Sequence, residues 1–406
     1  MRFLLFLLLC GVMQGCGKDY DVAGDDISRP VLERGDSASR TVLVYIMAEN
    51  KLAGNVNSDL YEMKRGLYAL PDDCYLLAFV DDLDKPYICR FYKSKLGVSA
   101  CDTVYKFQND FYSTDSAKFK EVLSWVLCEY PSRHLGLVMW SHGSGWLYDA
   151  RKVRSIGVDN GKNVYGDILS TSKCMEVEEL AYVLEDIPVK TDFVLFDACF
   201  MQCVEVAYAM RKSTDWLLGS PAELPADGAP YDKIVSSMFS FPFDAKGFIE
   251  QYKAGYPEND GVVLSAVNCL AVDKLAEITS MVVPAYFTRG LQVDDSKVFS
   301  YLPGGNFSDI MEYPEYSDMN GQMMLRLPND VYLLWKEAFD AAVPYKVASR
   351  KWWSGFPPYD FYPVDFLQYG GLSMYVPRDK VAYSSLNANF RKTEWYLATE
   401  WGSAGW

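Results

Sequence analysis

The chain has 406 residues, of which 50% are hydrophobic, and a formal net charge of −15 at pH 7. This length and composition are sufficient for a large hydrophobic core, whereas an acidic chain without a dense block of lysine and arginine is not expected to bind nucleic acid. The two histidines are too few for an ordinary zinc site if one of them has another role.

The N-terminus has the pattern of an export signal. Residues 1–15 carry one positive charge at Arg2 and an apolar stretch that is too short to span a bilayer as a mature helix. The stretch ends in Met13-Gln14-Gly15-Cys16, which resembles the bacterial lipobox, with Met13 where leucine is usual. We therefore predict an exported lipoprotein of the bacterial cell envelope, bound to the membrane through a lipid on Cys16. An ordinary cleaved signal with Cys16 unmodified is the alternative.

The rest of the chain is divided by composition only once. Residues 16–40 are polar and contain too few apolar side chains to bury a core, which is typical of a flexible tether. No proline- or glycine-rich linker divides the residues after them. We expect an α/β core over residues 41–290 and a C-terminal extension over residues 291–406 that completes or flanks it.

Short apolar runs alternate with segments of helical periodicity, which predicts an α/β fold. The predicted strands are Val42–Ala48, Cys74–Val80, Leu135–Trp140, Phe193–Asp197, Trp216–Ser220, Val262–Val267 and Gly371–Val376, with a hairpin formed by Ile88–Tyr92 and Thr103–Phe107. The predicted helices are Asn57–Leu70, Ser116–Glu129, Met175–Asp186, Met201–Lys212, Asp232–Phe239, Gly247–Tyr256 and Asp273–Phe287. The aromatic-rich segment 293–366 has no periodicity that assigns it.

Cys199 follows a predicted strand, Phe193–Asp197, whose continuous apolar run is typical of a parallel sheet buried on both faces. The predicted helix Met201–Lys212 begins directly after it. Open α/β sheets place their chemistry beyond the carboxyl ends of the strands. A helix N-terminus favours a thiolate, so this position suits a nucleophilic cysteine with a lowered pKa.

One of the two histidines can reach the same edge of the sheet. His134 precedes the predicted strand Leu135–Trp140 and therefore lies at its amino end, whereas His142 follows it. If this strand is parallel to the one before Cys199, His142 and Cys199 share a carboxyl edge. A Cys–His pair needs this arrangement, because the base must lie near the thiol.

Four segments resemble the clostripain family of cysteine peptidases, which are relatives of caspases, gingipains and legumain. They are His142-Gly143-Ser144-Gly145-Trp146, Asp197-Ala198-Cys199, Ser220-Pro221-Ala222-Glu223 with Pro225, Asp227 and Gly228 after it, and Gly371-Leu372-Ser373-Met374-Tyr375-Val376-Pro377. Their order along residues 41–379 is itself characteristic. The resemblance implies a caspase-like, mostly parallel sheet flanked by helices, and a Cys–His dyad without an obligatory third member.

The resemblance also suggests what each residue does. Cys199 is expected to attack the scissile carbonyl and His142 to protonate the leaving amine. By similarity to the caspase-like fold, the backbone amides of Gly143 and Cys199 are expected to bind the oxyanion. Asp197 matches the acid at the base of the S1 pocket, which predicts a protein or peptide substrate cleaved after arginine or, less surely, lysine. Asp197 could instead cap the following helix, and Cys203 is expected to be a packed core residue.

Two further properties of the family concern the segment after His142. Members are often processed between the histidine and the cysteine, and Arg151, Lys152 and Arg154 could form a self-cleavage site if the enzyme prefers basic residues. A solvated loop without cleavage is the alternative of equal weight.

No cofactor is firmly expected, but some members need calcium. Oxygen ligands near the site could come from Asp149, Asp159 and Asp167.

Rival functions were weighed against the peptidase. A serine esterase would need a G-x-S-x-G elbow and a histidine late in the chain, and both are absent. A non-catalytic surface lipoprotein that binds peptides or glycans is the alternative suggested by the 15% aromatic content and the lipobox.

Cys89 and Cys101 could face each other across the hairpin. Sequence alone does not decide whether they form a disulfide.

Overall fold

The fold alternates strands and helices, and this computed structural model describes residues 37–147, 155–161, 172–302, 316–355 and 360–406. The strands are β1 (Ala38–Met47), β2 (Cys74–Asp81), β3 (Tyr87–Lys93), β4 (Ser99–Lys106), β5 (Ser132–Trp140), β6 (Ile156–Asp159), β7 (Lys173–Met175), β8 (Lys190–Asp197), β9 (Trp216–Gly219), β10 (Val263–Asn268), β11 (Ser317–Asp318), β12 (Tyr345–Ala348), β13 (Lys351–Ser354), β14 (Asp360–Pro363) and β15 (Ser373–Met374). The helices are α1 (Val56–Gly66), α2 (Ser116–Glu129), α3 (Val177–Glu185), α4 (Val204–Met210), α5 (Tyr231–Ile234), α6 (Ala245–Ala254), α7 (Val272–Tyr286), α8 (Met319–Arg326), α9 (Asn329–Ala342), α10 (Ser384–Phe390) and α11 (Glu394–Ala398).

Within the described residues, nine strands form one sheet in the order β12-β10-β9-β8-β5-β1-β2-β3-β4. The five central strands from β9 to β2 are parallel, and the pairs at both edges are antiparallel. This arrangement confirms the predicted α/β class with a mostly parallel sheet. The predicted hairpin is also present, as β3 and β4.

The central strands are buried on both faces, as their continuous apolar sequences predict. All eight residues of β2 are buried, and so are seven of the eight in β8. Apolar side chains from α1, α5 and α6 pack together against one face of the sheet. None of the described helices has both the length and the apolar character needed to cross a membrane.

The ends of β5 and β8 lie level, and this register determines where the following loops begin. Trp140, the last residue of β5, is paired with Asp197, the last residue of β8. The amide of Ser141 then approaches the carbonyl of Asp197 at 3.4 Å. Because His142 and Cys199 each lie two residues beyond a paired residue, both emerge at the same edge of the sheet.

The other histidine belongs to a buried ion-pair network at the opposite edge. Arg40, 2% exposed, donates to Asp192 through Nε at 3.0 Å and Nη2 at 2.7 Å. His134 Nδ1 lies 2.9 Å from the other oxygen of Asp192. A charge-assisted network of this kind holds strand ends together. His134 therefore lies at the amino end of β5, as the sequence predicts.

Several sequence expectations differ from the structure. The predicted strand Gly371–Val376 is reduced to Ser373–Met374, and the predicted helix Asp232–Phe239 ends at Ile234. The helix predicted from Met201 begins at Val204, because the amides of Phe200 and Gln202 bond to the carbonyls of Ala222 and Ser220 instead of entering a helix. The unassigned segment 293–366 contains β12, which extends the main sheet by pairing with β10.

Candidate active site

The loop after β8 holds Cys199 beneath the segment that follows β9. The amide of Leu224 lies 3.3 Å from Cys199 Sγ, and the amide of Phe200 bonds to the carbonyl of Ala222 at 3.0 Å. Phe200 has a φ of 61°, in the left-handed region that non-glycine residues rarely adopt. The loop therefore turns sharply at the residue after Cys199, which is half-buried as a residue and has its sulfur turned toward Leu224.

The loop after β5 lies directly against the cysteine loop. A Cβ built on Gly143 would lie 2.8 Å from the carbonyl oxygen of Cys199 and 2.9 Å from the Cβ of Ala198. Any side chain at position 143 would therefore push the two loops apart, so glycine is needed for this approach. His142, which is half-buried, is brought to the same edge as Cys199, as the sequence predicts.

Strand β6 supports the histidine loop from its other side. The amide of Gly157 donates to the carbonyl of His142 at 2.9 Å, and Gly143 is bridged to Ile156. The hydroxyl of Ser141 accepts from the amide of Val158 at 3.2 Å. The backbone around His142 is therefore held by hydrogen bonds on both sides.

The thiol is not activated by a helix N-terminus, contrary to the sequence-based expectation. Helix α4 begins at Val204, five residues after Cys199. Burial, and after it the Glu223 carboxylate, raise the pKa of the Cys199 thiol to about 12, against the opposing effect of the Leu224 amide. These surroundings favour the thiol over the thiolate, so a base is needed to make the sulfur nucleophilic.

Asp197 does not cap a helix, so that alternative is wrong. Its Oδ2 accepts hydrogen bonds from the amide of Ala229 at 3.1 Å and the hydroxyl of Tyr231 at 2.8 Å, while Tyr252 donates to Oδ1 at 3.3 Å. A Cβ on Gly228, whose φ is 67°, would lie 3.2 Å from Oδ2. The carboxylate is thus fixed by these donors and lies close behind Gly228, where a side chain would crowd it. Burial raises its pKa.

A second buried carboxyl, Asp59 of α1, lies beside Asp197. It accepts a hydrogen bond from Trp140 Nε1 at 2.7 Å. Burial raises the pKa of Asp59 to about 8, with further contributions from the charges of Asp197, Glu62 and Asp227. Sequence analysis did not find this residue, because α1 is remote in the chain from both catalytic loops and nothing in its periodicity marks an inward-facing acid.

Tyr316, from the C-terminal part of the chain, contacts both loops of the site. Its hydroxyl donates to the carbonyl of Ser144 at 2.8 Å, and its ring stacks on Phe200 with centroids 4.3 Å apart. The side chain is buried, and its φ of 39° is in the left-handed region. One residue therefore bridges the histidine loop and the cysteine loop, at a cost in backbone strain.

Several residues singled out by the sequence lie outside the described part of the chain. They are Cys16, Asp149, Arg151, Lys152, Arg154 and Asp167.

The other cysteines singled out by the sequence lie within the described residues. Cys203 is buried below the site, as expected for a packed residue. Cys89 and Cys101 are near enough for their thiols to form a hydrogen bond, and both are free cysteines in this structure.

Comparisons with known proteins agree on one family. A sequence model described as the Clostripain family matches residues 44–404. Clostripain of Hathewaya histolytica is 28% identical over 230 residues, which are 49% of this chain and 42% of that protein, so the match spans less than half of the relative's length.

Solved structures are similar over most of the chain. A secreted cysteine protease from Bacteroides thetaiotaomicron, in complex with an irreversible peptide inhibitor, has a TM-score of 0.77 and 29% identity over 90% of this chain and 99% of that chain. An inactive zymogen protease from Parabacteroides distasonis has a TM-score of 0.75 and 27% identity, over 90% and 99%.

Tyr316→Phe removes the hydrogen bond to Ser144, and we expect kcat for peptide cleavage to fall about fivefold to tenfold, since a buried hydrogen bond is worth about 1 kcal/mol. KM should change little, because the residue positions the loops. The rate at which iodoacetamide alkylates Cys199 should fall in parallel.

Tyr332→Phe is the matched control, because that hydroxyl bonds to Asn320 outside the site. A lower melting temperature for Tyr316→Phe with unchanged kcat and alkylation rate would show that Tyr316 is a packing residue only.

Proposed function

Because the chain belongs to the clostripain family of cysteine proteases, we propose that it is a cysteine endopeptidase with a Cys199–His142 dyad that cleaves after arginine, and less efficiently after lysine. The observation that carries the proposal is the contact between the two loops at Gly143 and Cys199. It brings a thiol and an imidazole to one sheet edge, beside two buried carboxyls.

The raised pKa of Cys199 determines the order of proton transfers in this proposal. His142 removes the thiol proton as Sγ attacks the scissile carbonyl carbon, since the resting thiol is neutral. The amides of Gly143 and Cys199 donate to the oxyanion. The imidazolium then gives the proton to the leaving amine as the C–N bond breaks, and water hydrolyses the resulting thioester.

The proposed specificity rests on a concentration of acidic side chains next to the dyad. Asp197 and Asp59 are buried together, and the charge of Asp227 acts on Asp59 from an exposed position. Within the described residues, neither Asp59 nor Asp197 forms an ion pair with lysine or arginine. A guanidinium that enters beside Gly228 would supply the missing positive charge and bidentate donors.

Export, anchoring and processing complete the proposal. Residues 1–15 would be a signal, Cys16 the lipidated residue, residues 16–40 a tether to the membrane, residues 41–290 the peptidase core and residues 291–406 its C-terminal extension. The similarity to a protease described as secreted supports export. Self-cleavage would fall at Arg151, Lys152 or Arg154, because these basic residues follow the histidine loop.

Nucleophile and base are tested by substitution. Cys199→Ala and His142→Ala should each lower kcat for a fluorogenic peptide with arginine at P1 by about 10³-fold or more, because each removes a group that the reaction requires. Cys128→Ala, which removes an exposed thiol on α2, should retain wild-type turnover. Comparable turnover by folded Cys199→Ala would refute Cys199 as the nucleophile, and no turnover by any form would favour an unactivated zymogen or a peptide-binding lipoprotein.

The buried carboxyls of Asp59 and Asp197 predict a pH dependence of cleavage that is specific to charged substrates. Asp59 has a raised pKa of about 8, so it is neutral below that pH and ionised above it. The ratio of kcat/KM for arginine over neutral citrulline at P1 should therefore increase about tenfold between pH 6.5 and pH 9, a gain of about 1.4 kcal/mol. Taking the ratio cancels the ionisation of the dyad itself.

Asp59→Asn should make this ratio independent of pH, whereas Glu185→Gln, an exposed acid on α3, should not change it. An identical pH profile in wild type and Asp59→Asn would exclude Asp59 from the specificity pocket.

Self-processing is tested by intact mass. Wild-type protein incubated for hours should yield two fragments whose new terminus lies after a basic residue of segment 151–154, and Cys199→Ala should remain one chain. A single intact wild-type chain with full peptidase activity would contradict self-cleavage and leave the peptidase assignment standing.

A further inference from the structure

Strand β12 ends the main sheet, and among the described residues no strand pairs with its outer edge. The amide of Ser349 donates to the carbonyl of Val262, just before β10, at 2.8 Å. Because hydrogen-bonded pairs alternate along an antiparallel ladder, Val347 also faces β10, while Lys346 and Ala348 direct their amides and carbonyls away from it. These outward groups are the ones that an additional strand would pair with.

The outward edge of β12 is unpaired but held in place. In the described part of the chain, no hydrogen bond reaches the outward amide or carbonyl of Lys346 or Ala348. On the inner side, the hydroxyl of Tyr369 lies 2.8 Å from the carbonyl of Leu264 and 2.9 Å from that of Val347. All four residues of β12 are half-buried. A ligand would therefore meet a fixed row of backbone groups that lack partners.

A cavity of about 290 Å³ lies alongside this edge. It is bounded by β12, by Tyr332 and Lys336 of α9, and by the segment 366–369. Phe366 and Leu367 are 60% and 86% exposed, although both side chains are large and apolar. The volume is close to the lower limit of small-molecule pockets and suits side chains of a peptide. One wall of the cavity is therefore apolar and another is the open edge of the sheet.

Two lysines line the cavity, and one of them has no counter-ion. Lys336 forms an ion pair with Asp340, one turn further along α9. Lys346, with Nζ 6.0 Å from the ring centre of Tyr369, forms no ion pair within the described residues. Burial, and after it the charge of Lys336, lower the pKa of Lys346. The charges of Asp318 and Asp340 act in the opposite direction without contact. A carboxylate in the cavity would supply the missing partner.

The two faces of β12 have different roles. Tyr345 and Val347 pack against the main core on one face, and Lys346 and Ala348 point to the other, because side chains alternate along a strand. A lysine on an edge strand can also serve to prevent pairing with another chain. The two roles predict opposite effects when the charge is removed, so a substitution distinguishes them.

We propose that the open edge of β12 binds an extended peptide segment of another protein, with an acidic side chain of that segment against Lys346 and Lys336. Backbone hydrogen bonds to Lys346 and Ala348 supply affinity, the lysines select a carboxylate, and the exposed rings and chains of segment 366–369 accommodate an apolar neighbour. The site is distinct from the dyad, because β12 lies three strands from β8, about 14 Å at the usual strand spacing.

The experiment uses full-length Cys199→Ala protein, so that no probe is cleaved. The probes are fluorescein-labelled hexapeptides of alternating valine and threonine, with glutamate placed at each position in turn and no lysine or arginine. We expect at least one to bind with a Kd below about 100 µM by fluorescence anisotropy. Its glutamine counterpart should bind about fivefold to tenfold more weakly, because a charge-assisted hydrogen bond is lost.

Strand pairing is tested separately by methylating the backbone nitrogen atoms of every second residue of the bound peptide. Only alternate residues of an added strand face β12. One of the two methylated forms should therefore bind at least about tenfold more weakly, and the other should bind as the unmodified peptide does. Equal affinity of both forms would show that the peptide does not pair with the edge.

The decisive variant is Lys346→Gln, compared with Lys106→Gln, which removes an exposed lysine from β4 at the opposite edge of the sheet. Lys346→Gln should bind the glutamate peptide about fivefold to tenfold more weakly and no longer distinguish it from the glutamine peptide. Lys106→Gln should bind both as the parent protein does. Ala348→Pro removes an outward amide without breaking the ladder to β10, and it should bind neither peptide measurably.

Hydrogen exchange locates the bound peptide. The amides of Lys346 and Ala348 should exchange more slowly at saturating peptide, whereas segments 141–147 and 197–203 around the dyad should not change. Protection that is absent from segment 344–349 would overturn the proposal. If Ala348→Pro does not fold, the methylated peptides test the same hydrogen bonds on the parent protein.

Three further results would overturn the proposal. No binding by any probe would exclude a peptide site of this chemistry. Stronger binding by Lys346→Gln than by its parent would show that the lysine protects the edge from pairing. A dimer in sedimentation that Ala348→Pro abolishes, together with no peptide binding, would assign the edge to a second copy of this chain. None of these measurements depends on peptidase activity.

Discussion

The pairing of Trp140 with Asp197 is the constraint on which the rest of the site depends. Parallel strands that end level deliver their following loops to one edge of the sheet, and the two loops can then meet if one of them has no side chain at the point of contact. Gly143 satisfies this condition against Cys199. A shift of one residue in this register would reverse the faces of one strand and separate the thiol from the imidazole.

The two loops are held in place by parts of the chain that are distant in sequence. The amide of Ser373, in β15, bonds to the carbonyl of Gln202 at 3.1 Å, and the side chain of Gln202 reaches the carbonyls of Leu217 and Ser265. Tyr316 joins the same loop to the histidine loop. The C-terminal part of the chain is therefore part of the active-site scaffold as well as a source of core residues, including Tyr301 and Tyr369.

Electrostatics explains why the proposed mechanism gives His142 the role of base. The Cys199 thiol, shielded from water next to Glu223, resists ionisation, and helix α4 begins too far along the chain to offset that effect. The acidic surroundings that disfavour the thiolate are also what the proposed specificity uses to attract a cationic substrate side chain beside Asp197 and Asp59. In that proposal, substrate recognition and nucleophile activation are opposed in the free enzyme, and the charge of a bound arginine would relieve both costs.

The sequence was sufficient for the sheet, for its hairpin and for the positions of Cys199 and His142, because continuous apolar runs mark buried parallel strands and their ends mark the catalytic edge. It was insufficient where tertiary contacts override local pattern. The residues after Cys199 have helical periodicity, but their amides are used by the segment after β9. Strand β12 is a short edge strand of four half-buried residues without a distinctive pattern. Asp59 and Tyr316 act only through neighbours that folding brings to them.

The most direct test of the account is to map the covalent adduct of a peptidyl chloromethyl ketone that ends in arginine. The account predicts one equivalent per chain, attached to Cys199, with labelling slowed strongly in His142→Ala and competed by an arginine peptide. Labelling of another cysteine, or equal labelling by a ketone that ends in aspartate, would contradict it.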